Sequence, residues 1–370
     1  MDIVIHGATH SSNFGDVLFA YLFYNACKNS GCKVELLNMP KFKVSDFCKN
    51  ELQYSVNGRF IRQLRMDCLI MMSGGYLGED KVSPKNTLKR YLHYILPARL
   101  FEIMHKPVYI IGVGGGPLTS NFLRKATVKM LNRASYVSVR DIETKKYFEE
   151  YGVTREVCLT TDTAQVIDST FVDCHAGSNS LNGLDKNKKY FFFHVVNKPA
   201  DDARMASTVA LAINHFLKDH AEYDVIIGND EQTDITRLEA YKTVIDGRKH
   251  VFEYKSVFQL CRLLCEVQFV ITPKLHVGIV SASLGKSVIS FPIHREKTGR
   301  YYNQIGESER SVHMQSVTEC IALEQIEKYY DKPIRLDDNI RKLAESNIEF
   351  VRAVAKINDS NERKLSNVGY

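Results

Sequence analysis

Phe269-Val270-Ile271-Thr272-Pro273-Lys274-Leu275-His276-Val277-Gly278-Ile279-Val280 changes character at its middle. The apolar and β-branched run Phe269–Thr272 reads as a buried strand. Pro273, Lys274 and His276 make a polar junction, and a helix is expected over Val277–Leu284. A second strand, Ser287–Phe291, follows. Working back from this unit, the same alternation recurs: strand Tyr190–Val196, helix Asp202–Leu217, strand Tyr223–Gly228, short strand Val251–Glu253 and helix Ser256–Cys265. Strands separated by helices imply a parallel sheet covered by helices on both faces.

The first half of the chain repeats the pattern. Ile3–Ile5 is a strand, and the polar loop Gly7–Gly15 leads to Asp16, placed to cap a helix to about Asn29, with Gly31 as its stop. Strands Lys33–Leu37, Cys68–Met72, Val108–Val113 and Tyr136–Val139 follow. Their tips read Ser73-Gly74-Gly75, Gly114-Gly115-Gly116-Pro117 and Arg140-Asp141, and a helix over Ile142–Tyr151 stops at Gly152. The stretch from His175 to Lys189 is polar and rich in turn formers, as a linker would be. The expected organisation is a first Rossmann-like domain over 1–174, a linker at 175–189, a second Rossmann-like domain over 190–315, and C-terminal helices over 316–370 that can pack back on the first domain. A polar tail from Asn358 is expected to fray. The fold class is therefore α/β, with two doubly wound domains expected to face each other across a cleft.

Bulk numbers agree with two cores. A chain of 370 residues exceeds the roughly 250–300 at which single cores stop growing. A net charge of +6, with Lys and Arg interspersed among acids, suits a mildly anionic ligand more than nucleic acid, which asks for a clustered basic stripe. No uninterrupted apolar run reaches the ~20 residues of a membrane span. The opening Met1-Asp2-Ile3-Val4-Ile5-His6 shows no basic leader and reads as the first strand. Nine irregularly spaced cysteines suit reduced thiols, so a cytoplasmic chain is expected. Cys261 and Cys265 share a helical face and read as core, and no metal-ligand cluster is evident.

In open α/β sheets ligands bind past the carboxyl ends of strands, so the residues there carry the functional reading. His10–Asp16 offers small polar groups and helix-start amides. An acid at Asp16 disfavours a phosphate there and favours a neutral sugar. The glycines at 74–75 and 114–116 are either ligand-approach points or tight turns, and they match neither a Walker loop nor a dinucleotide turn. Arg140 can grip a carboxylate or phosphate with its planar fork, or it can pair with Asp141 or Asp162. Lys274 and His276 sit together at a helix start, a compact anion site with a group that titrates near neutrality. The run His294–Arg300, with Arg295 and Lys297, is read as a further basic loop. His194 and His215 are expected to be packed.

Taken in order, these residues resemble the polysaccharide pyruvyl transferase family from Asn13 to about Gly306. The pieces are Asn13-Phe14-Gly15-Asp16, Gly74-Gly75, Gly112 to Pro117, Ser138-Val139-Arg140-Asp141 with Gly152, Asp162-Thr163-Ala164, and Leu275-His276 followed by Ala282, Gly285 and Phe291. Lys274 stands where the family often has Arg, Thr163 where Pro is usual, and Phe291 where Tyr is common. The resemblance implies a GT-B-like fold and transfer of a pyruvyl group from phosphoenolpyruvate, a co-substrate, to a sugar acceptor carried on a lipid or nucleotide. No other cofactor is implied. It further implies that Arg140, Lys274, Leu275 and His276 meet the donor. The strand-tip reading adds Arg295 and Lys297 to the donor side and sets Asn13, Asp16, Gly74, Gly75, Gly114 and Gly115 toward the acceptor, with Asp16 a candidate base. A cytoplasmic enzyme acting on a lipid-borne sugar would visit the inner face of the membrane, which the net positive charge permits without demanding. The rival readings are a GT-B glycosyltransferase using a nucleotide-sugar and a non-catalytic sugar-binding protein.

Overall fold

The computed structural model describes residues 1–37, 63–78, 83–176, 181, 183–196, 204–231 and 235–356. In chain order its elements begin with β1 (Asp2–His6), α1 (Phe14–Lys28), β2 (Lys33–Leu36), β3 (Cys68–Met71) and β4 (Gly74–Leu77). Next come α2 (Pro84–Arg90), a π-helical turn (Tyr91–Ile95), α3 (Leu96–Ile103), β5 (Val108–Gly115), α4 (Asn121–Arg133), β6 (Tyr136–Val139), α5 (Ile142–Glu150), β7 (Cys158–Leu159) and α6 (Ser169–His175). The second half runs β8 (Lys189–His194), α7 (Val209–Asp219), β9 (Tyr223–Gly228), α8 (Ile235–Val244), β10 (Lys249–Phe252), α9 (Val257–Glu266), β11 (Phe269–Thr272), α10 (Leu275–Ser283), β12 (Ser287–Ser290), α11 (Arg295–Gln304), α12 (Glu319–Tyr329) and α13 (Asp338–Ala355).

Two compact units result. The first holds 1–11, 16–163 and 342–370; the second holds 12–15 and 164–341. The first sheet is parallel, in the order β2-β1-β3-β5-β6-β7, with β4 pairing β5. The second is parallel in the order β10-β9-β8-β11-β12. Its strand order reverses between β8 and β11, the place where doubly wound sheets open a crevice for ligand. Strands β3, β5 and β11 are buried along their whole length, as strands covered on both faces must be. The second core is built on aromatic rings, with Phe191 stacked on Phe269 at 4.4 Å and Phe216 edge-on to both. No helix among the described residues is long and apolar enough to cross a membrane.

Several expectations are corrected. Helix α1 starts at Phe14, so Asp16 is not its cap; it lies in the first turn, where an acid meets the positive end of the helix dipole. Gly74–Gly75 opens a strand, and Gly114–Gly115 lies inside one. The run 294–300 is not a loop, because α11 begins at Arg295. Helix α10 begins at Leu275, two residues before the expected start. Contacts divide between Thr163 and Ala164 rather than in 175–189. The reason is α6: Arg262 reaches from α9 to Asp173 at 3.0 Å and to the Val172 and Ala176 carbonyls. At the C-terminus α12 packs into the second core through Ala322, Ile326 and Tyr329. From Lys342 the chain belongs to the first unit, where Phe350 stacks on Tyr136 at 3.8 Å. There Asn347 donates to the Thr161 carbonyl and Thr163 Oγ1. The tail from Asn358, and parts of the expected linker and of the helix expected from Asp202, lie outside the described residues.

Candidate active site

Strands β8 and β11 end side by side at the reversal point of the second sheet. His194 closes β8 and Thr272 closes β11, both fully buried. Their side chains join: His194 Nδ1 lies 2.8 Å from Thr272 Oγ1, and Nε2 lies 3.3 Å from Asp230 Oδ1. In the Nε2–H tautomer the ring donates to Asp230 and accepts the Thr272 hydroxyl proton. The Thr272 oxygen in turn accepts the Lys274 backbone N–H at 3.1 Å. This network holds the chain turn that delivers Lys274, the residue preceding the first turn of α10.

The Lys274 ammonium is enclosed by acceptors: Glu231 Oε1 at 3.2 Å, Asn13 Oδ1 at 3.2 Å and Asp230 Oδ1 at 3.4 Å. Burial works to lower the lysine's pKa, but Asp230 and Glu231 outweigh it and raise it. Burial works to raise the Asp230 carboxyl, and Lys274 with His194 overcomes this and holds it below the usual carboxylate range. Lys274 is therefore a charged group already matched by two acids, which weakens its pull on an anion.

His276 stands one residue into α10, half-buried, at the positive end of the helix dipole. Its ring packs on the backbone of Gly15: a Cβ at Gly15 would fall 1.9 Å from His276 Nδ1. Only glycine leaves room for the imidazole there. The second unit thus brings together Asn13, Gly15, Lys274 and His276, with Leu275 half-exposed between the last two. Arg295 opens α11, and Lys297, half-buried, follows in its first turn. Sequence reading missed Asp230 and Glu231, although Asn229-Asp230-Glu231 follows strand β9 and the strand-tip rule applied to other strands would have found it. His194 is packed as expected, whereas His215 is not: it is exposed on α7 and pairs with Glu319 at 2.9 Å.

In the first unit Arg140 is buried, with Nη1 2.7 Å from Asp162 Oδ2 and Nε 3.8 Å from Asp141 Oδ2. Asp141 caps α5, accepting from the Thr144 N–H at 2.7 Å. A Cβ at Gly114 would meet Arg140 Nε at 2.6 Å, so the glycine in β5 makes space for the guanidinium. Of the two roles open to Arg140, pairing with Asp162 is the one seen. Removing one partner of a buried pair strands the other, so Arg140→Ala is expected to cost about 3 kcal/mol in a urea unfolding series. Arg140→Met with Asp162→Asn should recover most of that; an undiminished loss in the double variant would refute the pairing account. Asp16 is half-buried, and a Cβ at Gly74 would lie 3.8 Å from its Oδ1, while Gly75 is half-buried beside it. Nearby, His6, His10 and His93 cluster with Tyr94, which stacks on Tyr76 at 4.8 Å. His93 and Tyr94 are carried by the π-helical turn, a local irregularity frequent at functional sites. Among the described residues no group of three or more His, Cys, Asp or Glu could hold a metal ion.

Among solved structures the chain is similar to S. aureus MnaA in complex with UDP, at 12% identity and TM-score 0.64, over 99% of this chain and 96% of that one. It is similar to a UDP-N-acetylglucosamine 2-epimerase from Listeria monocytogenes, at 9% identity and TM-score 0.66, over 97% of each chain. Acinetobacter baumannii MurG matches at 12% identity and TM-score 0.56, over 96% and 99%. These are GT-B-fold proteins, and the likeness assigns that fold to this chain. No curated protein matches it. The family model for polysaccharide pyruvyl transferase matches residues 13–295, a span that starts at Asn13 and includes both Gly15 and the His276 packed against it. The chain belongs to the polysaccharide pyruvyl transferase family.

Proposed function

We propose that the protein transfers the pyruvyl group of phosphoenolpyruvate to two hydroxyls of one sugar in a surface-polysaccharide precursor, closing a cyclic ketal and releasing phosphate. The observation that supports this reading best is the family match, combined with the packing of Gly15 on His276 at the reversal point of the second sheet. His276 is the acid of the proposal: it delivers a proton to the donor's methylene carbon or to the departing phosphate. Protonation of that carbon leaves C2 electron-poor, and one sugar hydroxyl adds to it. The second hydroxyl then displaces phosphate, so the two hydroxyl protons replace the one taken up by carbon and supply the one carried off with phosphate. The positive end of the α10 helix dipole stabilises the donor's negative charge. Lys274 supplies a local positive charge whose reach Asp230 and Glu231 limit. Arg140 enters through its place in the family motif, and Asp16 is proposed as a base toward the acceptor.

The second reading, a nucleotide-sugar transferase, is favoured by two observations. Structures of the same fold include proteins bound to UDP or UDP-GlcNAc, and the acids around Lys274 suit a sugar better than a trianion. Titration calorimetry separates the two. Heat of binding with phosphoenolpyruvate, together with phosphate release on adding a sugar acceptor, is the expected result. Binding of sugar nucleotides with no response to phosphoenolpyruvate would overturn it, and silence toward both would leave a sugar-binding protein without this chemistry.

A further inference from the structure

The expected mixing of Lys and Arg with acids fails in one segment. From Ser83 to Ala134 there are nine Lys and Arg and a single acid, Glu102, a formal +8. The whole chain carries +6, so all other residues together amount to −2. Glu102 is 5% exposed and pairs with Arg99, so the accessible charge of this segment is positive. The segment also holds five of the seven large apolar side chains exposed among the described residues: Leu88, Leu92, Ile103, Met104 and Phe122. Leu88 and Phe122 are each 54% exposed and Leu92 49%, which is costly in water unless something covers them.

Leu88, Leu92 and Phe122 lie on one surface of the first unit. Leu88 in α2 and Leu92 in the π-helical turn are four residues apart on one continuous helical run. Phe122, at the start of α4, lies beside them, its ring 5.0 Å from that of Tyr91. Leu88 and Phe122 line a shallow hollow of about 500 Å³ with Pro84 and Thr87. Further along α4, a second hollow of about 480 Å³ is lined by Arg124, Lys125, Lys129, Arg133 and Tyr151. Lys85, Lys89, Lys125, Lys129 and Arg133 are exposed around this apolar ridge.

We infer that this face docks on a lipid bilayer surface carrying anionic headgroups, with Leu88, Leu92 and Phe122 entering the interfacial layer and the lysines and arginines lying against phosphate. An interface of this chemistry uses both features at once: apolar side chains alone bind membranes weakly, and cations alone bind reversibly and salt-dependently. A second copy of the chain is disfavoured, because a two-fold interface would set this positive segment against itself. Nucleic acid would employ the cations and leave the protruding leucines in water. The inference stands apart from the chemistry proposed above, and its test needs no turnover. Should that chemistry hold, the docking places the enzyme where a lipid-carried acceptor is found.

Cosedimentation of the full chain with vesicles of phosphatidylcholine, with and without phosphatidylglycerol, is the measurement. Binding is expected to the anionic vesicles and to fall as salt rises from about 0.1 M toward 0.5 M, where screening shortens to a few ångströms. The triple variant Leu88→Ser, Leu92→Ser, Phe122→Ser and the double variant Lys125→Glu, Lys129→Glu should each lower the partition coefficient roughly tenfold or more. All five positions are exposed, so circular dichroism should match the parent. The inference is overturned if anionic vesicles at low salt retain no protein, or if both variants bind like the parent. It is equally overturned if the patch substitutions instead abolish a dimer or the capture of an acidic protein while vesicle binding persists.

Discussion

His276→Ala is expected to fold as the parent does and to lose roughly 10²–10⁴-fold in phosphoenolpyruvate-dependent phosphate release, with donor affinity changed far less. The fold should survive because the residue is half-buried in the first turn of α10, where alanine is a better helix former than histidine. The loss should fall on turnover because an acid contributes in the transition state and not to ground-state binding. A companion substitution tests the geometry. Gly15→Ala places a methyl group 1.9 Å from where His276 Nδ1 lies, so the ring must swing away or the start of α1 must shift. The same rate loss is then expected without touching the histidine itself. Normal turnover in His276→Ala would remove it from the chemistry, whereas normal turnover in Gly15→Ala alone would show that the ring's seat on the glycine is not the reactive position. Calorimetry with phosphoenolpyruvate on both variants distinguishes a lost acid from a lost donor site.

The strands were readable because a strand buried on both faces leaves a short uninterrupted apolar run, as in Phe269–Thr272 and Tyr223–Gly228, whose bounds the structure reproduces. The position of Lys274 and His276 past a strand tip followed from the same reading. What escaped it depends on partners distant in sequence. Gly114 and Gly115 look like a turn from their neighbours alone; they lie in β5 because Arg140 occupies the space a Cβ would take at Gly114, and Thr144 Oγ1 accepts the Gly115 N–H at 2.8 Å. Asp230 and Glu231 were within reach of the strand-tip rule, but their role comes from Lys274, more than forty residues on. The split of α13 between units rests on Asn347 answering polar groups at Ser138, Thr161 and Thr163, which no window of sequence contains.

Acidification from pH 7 to pH 4 should destabilise the first unit steeply, and His6 and His93 are the reason. His6 is fully buried at the end of β1, its pKa lowered to about 3 by burial first and then by the neighbouring His93 charge. The His93 carbonyl accepts from its Nε2 at 2.7 Å, and Nδ1 has no partner among the described residues. His93 is lowered to about 4, by burial and then by His10 and Lys89. In the unfolded chain both titrate near 6.5. Between about 6.5 and 4 the unfolded state therefore binds more protons than the folded one, so stability rises with pH across that window and is lost as pH falls through it. The share of His6 alone is on the order of 3–5 kcal/mol over the full window, from its displacement of several pH units. Asp230 does not confuse the result: its carboxyl is held below 3.8 when folded, so its contribution is lost only at lower pH. Urea midpoints at pH 7, 6, 5 and 4 give the slope. In His6→Gln, whose amide can still donate to the His93 carbonyl, the pH 6 to 4 slope should flatten by the histidine's share. An unchanged slope would mean that His6 is readily protonated where it sits, and that the end of β1 is wetter than its burial indicates.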